Sequence, residues 1–138
     1  MFPVKCCLNK SAMVLLAVAS VLGSVRAQAN DGFPFGFEMT LDTAPQPGSK
    51  RLPTLEIGDN GAATLELWCK NVKGQFSVAG NTVVFVPGQA QEGACAPDRA
   101  EADDQLLSEL TEATTWKRQG DDVFFVGTKS LHFQINTN

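Results

Sequence analysis

Tyrosine is absent from the sequence and histidine occurs once, so several residue types on which enzymes depend are scarce. The single histidine, His132, has no acid or nucleophile tied to it by a recognisable spacing. No GxSxG turn, phosphate-binding glycine loop, HExxH helix or dinucleotide fingerprint occurs. The 15 acidic residues leave paired carboxylates open as acid–base groups. We therefore expect a non-enzymatic protein without catalytic residues, cofactor or bound metal.

Basic residues are also few, which argues against nucleic acid as a partner. The formal net charge of the full chain is −4. Removal of residues 1–27 would take away Lys5, Lys10 and Arg26 and no acid, which brings the net charge to about −7. Phosphate backbones and anionic lipid surfaces repel such a domain, because Lys and Arg provide the affinity for them. A basic protein would be attracted, although the same charge also keeps a secreted domain soluble.

The first 27 residues have the pattern of a signal peptide. Lys5 and Lys10 precede an uncharged apolar run, Ser11–Val25, and small residues follow at Ala27 and Ala29. The run of about 15 residues is shorter than the roughly 20 that a membrane-spanning helix needs, which disfavours the alternative of an uncleaved anchor. We expect cleavage after Ala27 or Ala29 and a periplasmic or secreted product with no membrane span after cleavage.

Two cysteines, Cys69 and Cys95, remain in the mature region. An isolated pair in one small domain normally forms a disulfide in an oxidising compartment. Closing a loop of this length stabilises a fold by roughly 3–4 kcal/mol in the chain-entropy model. A metal site is the alternative, but it would need both thiolates and His132, and no CxxC or HxxxH spacing supports it. We predict a Cys69–Cys95 disulfide.

Alternating apolar and polar residues predict eight strands separated by short turns. Asn60-Gly61 between two alternating runs is a strong hairpin signal, and Gly80-Asn81 marks a second turn. Four consecutive apolar residues, Val83–Val86, predict a strand that is covered on both faces. The predicted strands are Phe37–Leu41, Leu55–Ile57, Ala63–Cys69, Phe76–Val78, Val83–Val86, Trp116–Arg118, Val123–Val126 and Leu131–Ile135.

One helix is predicted between the fifth and sixth strands. Asp98 is its expected N-cap, and Glu101 follows three residues later, as in a capping box. Its apolar stripe is expected to cover the outer side of the Val83–Val86 strand. The remaining acids of the helix, including Asp103 and Asp104, lack the spacing of a calcium loop, and we interpret them as a solvated face. The stripe consists of Ala102, Leu106, Leu107, Leu110 and Ala113.

The order of elements favours an α+β fold with one domain. Five strands, one helix and three strands joined by short turns predict an antiparallel β meander that forms a partly open barrel-like sheet with one amphipathic helix. Residues 28–51 supply an N-terminal strand and a proline-rich loop, and residues 52–138 supply the rest of the same fold. The nine phenylalanines, apart from one in the leader, and both tryptophans are expected in the core or at an interface.

Several short motifs occur in an order that resembles the META domain, the family of HslJ-like heat-shock and envelope proteins. The resemblance covers Leu52 to Gln134. Two departures from the family pattern stand out: Trp68 replaces a glycine before Cys69, with Lys70 inserted after it, and the residues before Cys95 differ. The motifs are Pro53-Thr54-Leu55-Glu56-Ile57, Asp59-Asn60-Gly61, Trp68-Cys69-Lys70-Asn71, Gly74-Gln75-Phe76, Gly93-Ala94-Cys95-Ala96-Pro97, Gln119-Gly120-Asp121-Asp122 and Leu131-His132-Phe133.

The resemblance implies an exported, non-enzymatic protein associated with stress tolerance, drug resistance or virulence. It provides no catalytic residues, and only Cys69 and Cys95 match family positions with a clear physical role. Our first hypothesis is a binding or envelope-maintenance module that acts through a surface or a small apolar groove on an unknown protein or small apolar ligand. The alternative is a secreted or periplasmic inhibitor of a basic enzyme, such as lysozyme or a protease. The third hypothesis is a carrier that holds an apolar ligand inside the barrel.

Overall fold

The computed structural model describes residues 32–91 and 93–137, which form eight strands and one helix. The predicted signal peptide over residues 1–27, with cleavage after Ala27 or Ala29, lies outside these residues. The predicted order of five strands, one helix and three strands is confirmed. The elements are β1 Phe37–Leu41, β2 Thr54–Ile57, β3 Ala62–Glu66, β4 Asn71–Ala79, β5 Thr82–Gln91, α1 Pro97–Glu112, β6 Thr115–Gln119, β7 Asp122–Val126 and β8 Ser130–Ile135.

The sheet is an antiparallel meander that closes on itself. Each strand pairs with the next along the chain, and β1 pairs with β8, so the eight strands form a ring. The ring is uneven, because β5 and β6 share a single register pair, Thr82 with Thr115. Helix α1 connects these two strands and contacts β5 and β8. The predicted α+β meander with one helix is therefore confirmed.

Aromatic side chains fill one part of the interior. Phe125 and Phe133 are fully buried and meet edge to face, with ring centroids 5.8 Å apart. Phe76 stacks on Phe125 at 5.6 Å. Phe33 precedes β1, and its ring lies 5.2 Å from Trp116 and 6.2 Å from Phe125. The chain segment before the first strand therefore contributes to the core of the ring, in addition to the residues that alternate along the strands.

The N-terminus of α1 differs from the prediction. Ala96 is the N-cap, no side chain caps the helix, and Asp98 lies in the first turn. Pro97 occupies the first helical position, where its fixed φ suits the helix and its missing N–H leaves no donor unsatisfied. Asp98 still favours the helix there, because its charge complements the helix dipole. Within the described residues, no helix has both the length and the apolar character to cross a membrane.

The prediction that β5 is covered on both faces is wrong. Val83 is buried, as expected for the inner face, but Val84 and Val86 are 51% and 58% exposed. The apolar residues Leu106 and Leu110 of α1 belong to the main core cluster instead. The helix contacts β5 and β8, and it leaves these two valines on the outer face of β5 exposed to solvent.

Threonine substitutions at adjacent positions of β5 test this assignment of faces. Threonine keeps the shape and strand preference of valine but adds a hydroxyl. Val83→Thr should lower the free energy of unfolding by about 1–3 kcal/mol, because its hydroxyl would be buried. Val84→Thr should change it by no more than about 0.5 kcal/mol. Urea unfolding measures both values, and equal losses would contradict the exposed outer face.

Candidate functional site

A groove of about 330 Å³ lies between α1 and the adjoining ends of β1 and β8. We call it the α1 groove. Three leucines, Leu41, Leu106 and Leu131, give it an apolar floor. Its volume is at the lower end of the range found for small-molecule sites, and apolar walls with a few polar groups are typical of such sites. The remaining lining residues are Asp42, Thr43, Gln46, Trp68, Ala102, Gln105, Glu109, Ser130 and His132.

One wall of the α1 groove is a single face of the helix. Ala102, Gln105, Leu106 and Glu109 are spaced by three and four residues, which brings them to the same side. The amide of Gln105 donates a hydrogen bond to Glu109 Oε1 at 3.0 Å, and Lys129 Nζ lies 3.2 Å from the same oxygen. The Glu109 side chain is only 17% exposed, so its carboxylate is held in place and partly shielded from water.

Asp103, on the same helix, is the one buried charged residue of the described chain. Its carboxylate accepts three hydrogen bonds from backbone N–H groups: from Trp68 at 2.9 Å, from Cys69 at 2.8 Å and from Lys70 at 2.8 Å. We call this arrangement the Asp103 clamp. The prediction of a solvated Asp103 is therefore wrong, because three backbone donors replace its water shell.

The Asp103 clamp acts on the turn between β3 and β4. The amides of Trp68, Cys69 and Lys70 lie between the two strands, where the β ladder offers them no partners. A disulfide joins Cys69 to Cys95 in the structure, with the Cα atoms 5.8 Å apart, and Cys95 lies just before α1. Lys70 Nζ also lies 2.6 Å from Asp104 Oδ1. The Asp103 carboxylate, the disulfide and the Lys70–Asp104 ion pair thus attach the β3–β4 turn to α1 and to the segment just before it. These contacts fix the position of Trp68 at the α1 groove.

The two tryptophans differ in how their indole N–H groups are satisfied. Trp116 donates its indole N–H to the carbonyl of Gly80 at 2.8 Å. The Trp68 Nε1 atom is buried and has no hydrogen-bond partner among the described residues. An indole is a donor only, and a buried donor without an acceptor costs about 1–3 kcal/mol. Trp68 thus carries a buried donor that no described residue satisfies.

His132 is held between two carboxylates, which the sequence did not indicate. Its Nδ1 atom lies 3.0 Å from Asp42 Oδ2, and its Nε2 atom lies 2.7 Å from Asp122 Oδ1. The ring stacks on Phe124 with a centroid distance of 4.5 Å. The prediction of a merely exposed strand residue is wrong, since the side chain is 27% exposed. Strand β8 pairs with both β1 and β7, and this pairing brings together acids that are distant in sequence.

This geometry restrains the imidazole ring of His132. Both ring nitrogens face carboxylates, whereas a general base needs one nitrogen free to take a proton from a nucleophile. Ser130 and Thr43 also line the α1 groove, but none of the hydrogen bonds among the described residues joins a hydroxyl to His132. In the described part of the chain, no group of three His, Cys, Asp or Glu side chains could hold a metal ion.

The contact with His132 also changes the acidity of Asp122. The hydrogen bond with His132, followed by one from Gln134 at 3.4 Å, lowers the pKa of the Asp122 carboxyl below its ordinary value. Both contacts favour the charged form of the carboxylate. The start of β7 is therefore linked to β8 by a charge-dependent contact.

Two neighbouring acids on α1 allow a matched test of the Asp103 clamp. Asp103→Asn would place an amide N–H₂ against backbone N–H donors, and it should lower the free energy of unfolding by about 3–5 kcal/mol. Asp104→Asn removes an ion pair with Lys70 whose Asp104 end is 66% exposed, and it should cost only about 1 kcal/mol. Chemical denaturation measures both values, and a cost for Asp103→Asn no larger than that for Asp104→Asn would contradict the clamp.

The lowered pKa of Asp122 predicts a pH-dependent contribution to stability. A carboxyl with a lowered folded pKa stabilises the fold fully above its unfolded pKa of about 3.9. That contribution is lost as the pH falls through the folded pKa. The stability difference between the native protein and Asp122→Asn should therefore be largest above about pH 4 and should shrink at lower pH. Urea unfolding across this range, with Asp121→Asn as the control, checks this, and a constant difference would oppose it.

Comparisons with known proteins agree with this architecture. No curated protein sequence matches the chain. A protein solved by NMR has a similar fold, with a TM-score of 0.58 at 12% identity, over 72% of this chain and 89% of that chain. Residues 38–135 match the META domain, which covers the helix and the strands from the second residue of β1 to the last residue of β8. The resemblance seen in the sequence motifs is thus confirmed, and the chain belongs to the META domain family.

Proposed function

We propose that this META-domain protein is a non-enzymatic binding module of the cell envelope or the extracellular space, and that the α1 groove is its binding site. The observation that carries the proposal is the groove itself, a concavity of about 330 Å³ with Leu41, Leu106 and Leu131 at its floor and with walls held by fixed side-chain contacts. A concave surface that combines a few apolar side chains with convergent polar groups is where proteins ordinarily bind a ligand.

The surroundings of His132 favour binding over catalysis. Asp42 and Asp122 occupy both ring nitrogens, so the imidazole keeps no free position for proton transfer to a substrate. The same two contacts hold the ends of β1, β7 and β8 together. His132 therefore acts in this proposal as a positioning residue for the groove wall.

The filled interior favours the groove over an internal ligand site. Met39, Phe125 and Phe133 are fully buried in the ring, and the core cluster draws on its strands and on α1. Packing of this kind leaves the space inside the strands to side chains. The third hypothesis, an apolar ligand carried inside the barrel, is therefore less well supported than binding at the groove.

Two features support an extracytoplasmic location. The sequence of residues 1–27 has the signal peptide pattern, and the structure joins Cys69 to Cys95. Disulfides persist in the periplasm and outside the cell, whereas the cytosol keeps most thiols reduced. Fractionation of cells that express the full-length sequence tests this location. A shortened product outside the cytoplasm with no titratable thiol is expected.

Site-specific crosslinking tests whether the α1 groove binds a partner. A photoreactive amino acid replaces Gln105, an exposed residue on the rim, or Thr111, an exposed residue of the same helix outside the groove. We expect a defined crosslinked product in cells from position 105 and none from position 111. Adding Trp68→Phe, which reduces the aromatic surface that lines the groove, should reduce the yield several-fold. Equal products from both positions, or substrate turnover by the purified protein, would contradict the proposal.

The outer side of α1 favours a second candidate, an inhibitor of a basic enzyme. Asp98, Glu101, Asp104 and Glu112 are exposed, and the last turn of the helix carries no basic residue. Such a surface attracts a positively charged protein at low ionic strength. A pull-down with lysozymes and proteases at low salt tests this candidate, and retention of none of them would remove it.

A further inference from the structure

We infer that His132 is a pH-dependent switch at the wall of the α1 groove: the charged imidazolium holds Asp42 and Asp122 together, and the neutral imidazole keeps Asp122 and releases Asp42. The switch goes beyond the proposed function, because it consists of contacts within the chain and exists whether or not the groove binds a partner. It follows from the number of protons on the ring, the geometry of its two contacts and the different support of the two acids.

His132 has a carboxylate at each ring nitrogen. Asp42 Oδ2 lies 3.0 Å from Nδ1, and Asp122 Oδ1 lies 2.7 Å from Nε2. An imidazolium carries a proton on both nitrogens, whereas a neutral imidazole has one N–H and presents a lone pair on the other nitrogen. A lone pair and a carboxylate oxygen repel each other at such distances. Both contacts are therefore favourable only while the ring is charged.

Other charged groups near the ring come from β6 and α1. Phe124 stacks on the His132 ring, with the planes 9° apart, and Lys117 Nζ of β6 lies 5.9 Å from the centroid of the Phe124 ring. Lys117 is exposed, so solvent and salt screen its charge. Glu109 of α1 lines the groove together with His132, but its carboxylate is paired with Lys129. The two acids at the ring nitrogens are therefore the groups whose contact with the ring changes most when it loses a proton.

These two acids differ in what holds them once the ring is neutral. The contact between Nε2 and Asp122 is a hydrogen bond, which a neutral ring can still donate. Gln134 also donates to the same oxygen of Asp122, at 3.4 Å. The Asp42 side chain is 59% exposed, and His132 is its one ion-pair or hydrogen-bond partner among the described residues. Loss of the proton on Nδ1 therefore releases Asp42 and leaves Asp122 in place.

The release changes the charge of the groove wall while the main chain stays paired. The backbone N–H of Asp42 donates to the carbonyl of His132 at 2.9 Å, and this bond does not depend on the ring. Both side chains line the α1 groove, so its wall loses one positive charge and gains an unpaired carboxylate when the ring becomes neutral. Histidine is the side chain whose charge ordinarily changes between about pH 5 and 8. The groove is therefore more acidic at the upper end of this range.

NMR of the ring nitrogens tests the switch on the ¹⁵N-labelled protein, purified without a histidine tag from cells that express the full-length sequence. His132 is the one histidine of the sequence, so its two nitrogen signals need no separation from others. We expect both nitrogens to be protonated at about pH 5 and Nε2 alone to keep its proton at about pH 8.5. A ring that is neutral at the lower pH, or a neutral ring with its proton on Nδ1, would overturn the switch.

Paired variants test the release of Asp42 through stability. Asp42→Asn should raise the equilibrium constant of unfolding about two- to fivefold at about pH 5.5, where the ring is charged, and by less than about 1.5-fold at about pH 8.5. Asp122→Asn should still raise this constant at the higher pH, because the neutral ring still donates to Asp122. In the His132→Gln background, which has no titrating ring, Asp42→Asn should have the same effect at both pH values. Urea unfolding measures all of these constants.

Two stability results would overturn the switch. One is an equal effect of Asp42→Asn at both pH values in the native background. The other is a pH-dependent effect of Asp42→Asn that persists in His132→Gln, since it would come from another titrating group. Crosslinking at position 105 reports on the groove as a binding site and does not depend on either result, so failure of the switch and failure of the proposed function are separate outcomes.

Discussion

The buried carboxylate of Asp103 is the interaction on which the rest of the structure depends. It binds three consecutive backbone amides of the turn between β3 and β4, and so attaches that turn to α1. The helix in turn connects β5 to β6, which share one register pair, and it contacts β5 and β8. The Cys69–Cys95 disulfide acts on the same turn, but it restricts the unfolded chain, whereas the carboxylate acts in the folded state. The carboxylate and the disulfide thereby connect the β3–β4 turn with the chain segment that joins β5 to β6.

The same restraints determine the shape of the groove. Asp103 fixes the helix wall and the position of Trp68, while His132 joins Asp42 to Asp122 and holds the strand wall. Both walls are therefore held by contacts within the chain itself. The unpartnered indole of Trp68 lies where these restraints meet, because its own backbone N–H is one of the three that Asp103 accepts.

Local sequence patterns are sufficient to predict the order of strands and helix, but not the residues and contacts of the α1 groove. Alternation along the strands and the Asn60-Gly61 turn predicted the order of elements, because each signal lies within a few neighbouring residues. The sequence pattern places Asp103 on a solvated face of the helix. The backbone N–H groups that donate to its carboxylate lie 33 to 35 residues away, so no neighbouring residue indicates them. The contacts of His132 with two acids depend on strand pairing, and the exposure of Val84 depends on where the helix packs. Both are features of tertiary structure, which local sequence patterns do not indicate.

Hydrogen exchange of single amides tests the Asp103 clamp most directly. The amides of Cys69 and Lys70 lie outside the β ladder, so their protection from exchange with D₂O reports on the carboxylate. The structure predicts that both exchange as slowly as the ladder amides of β3 in the native protein. Exchange as fast as that of the exposed loop residues Ala44, Gly48 and Lys50 would show that Asp103 does not hold this turn, and would contradict the account.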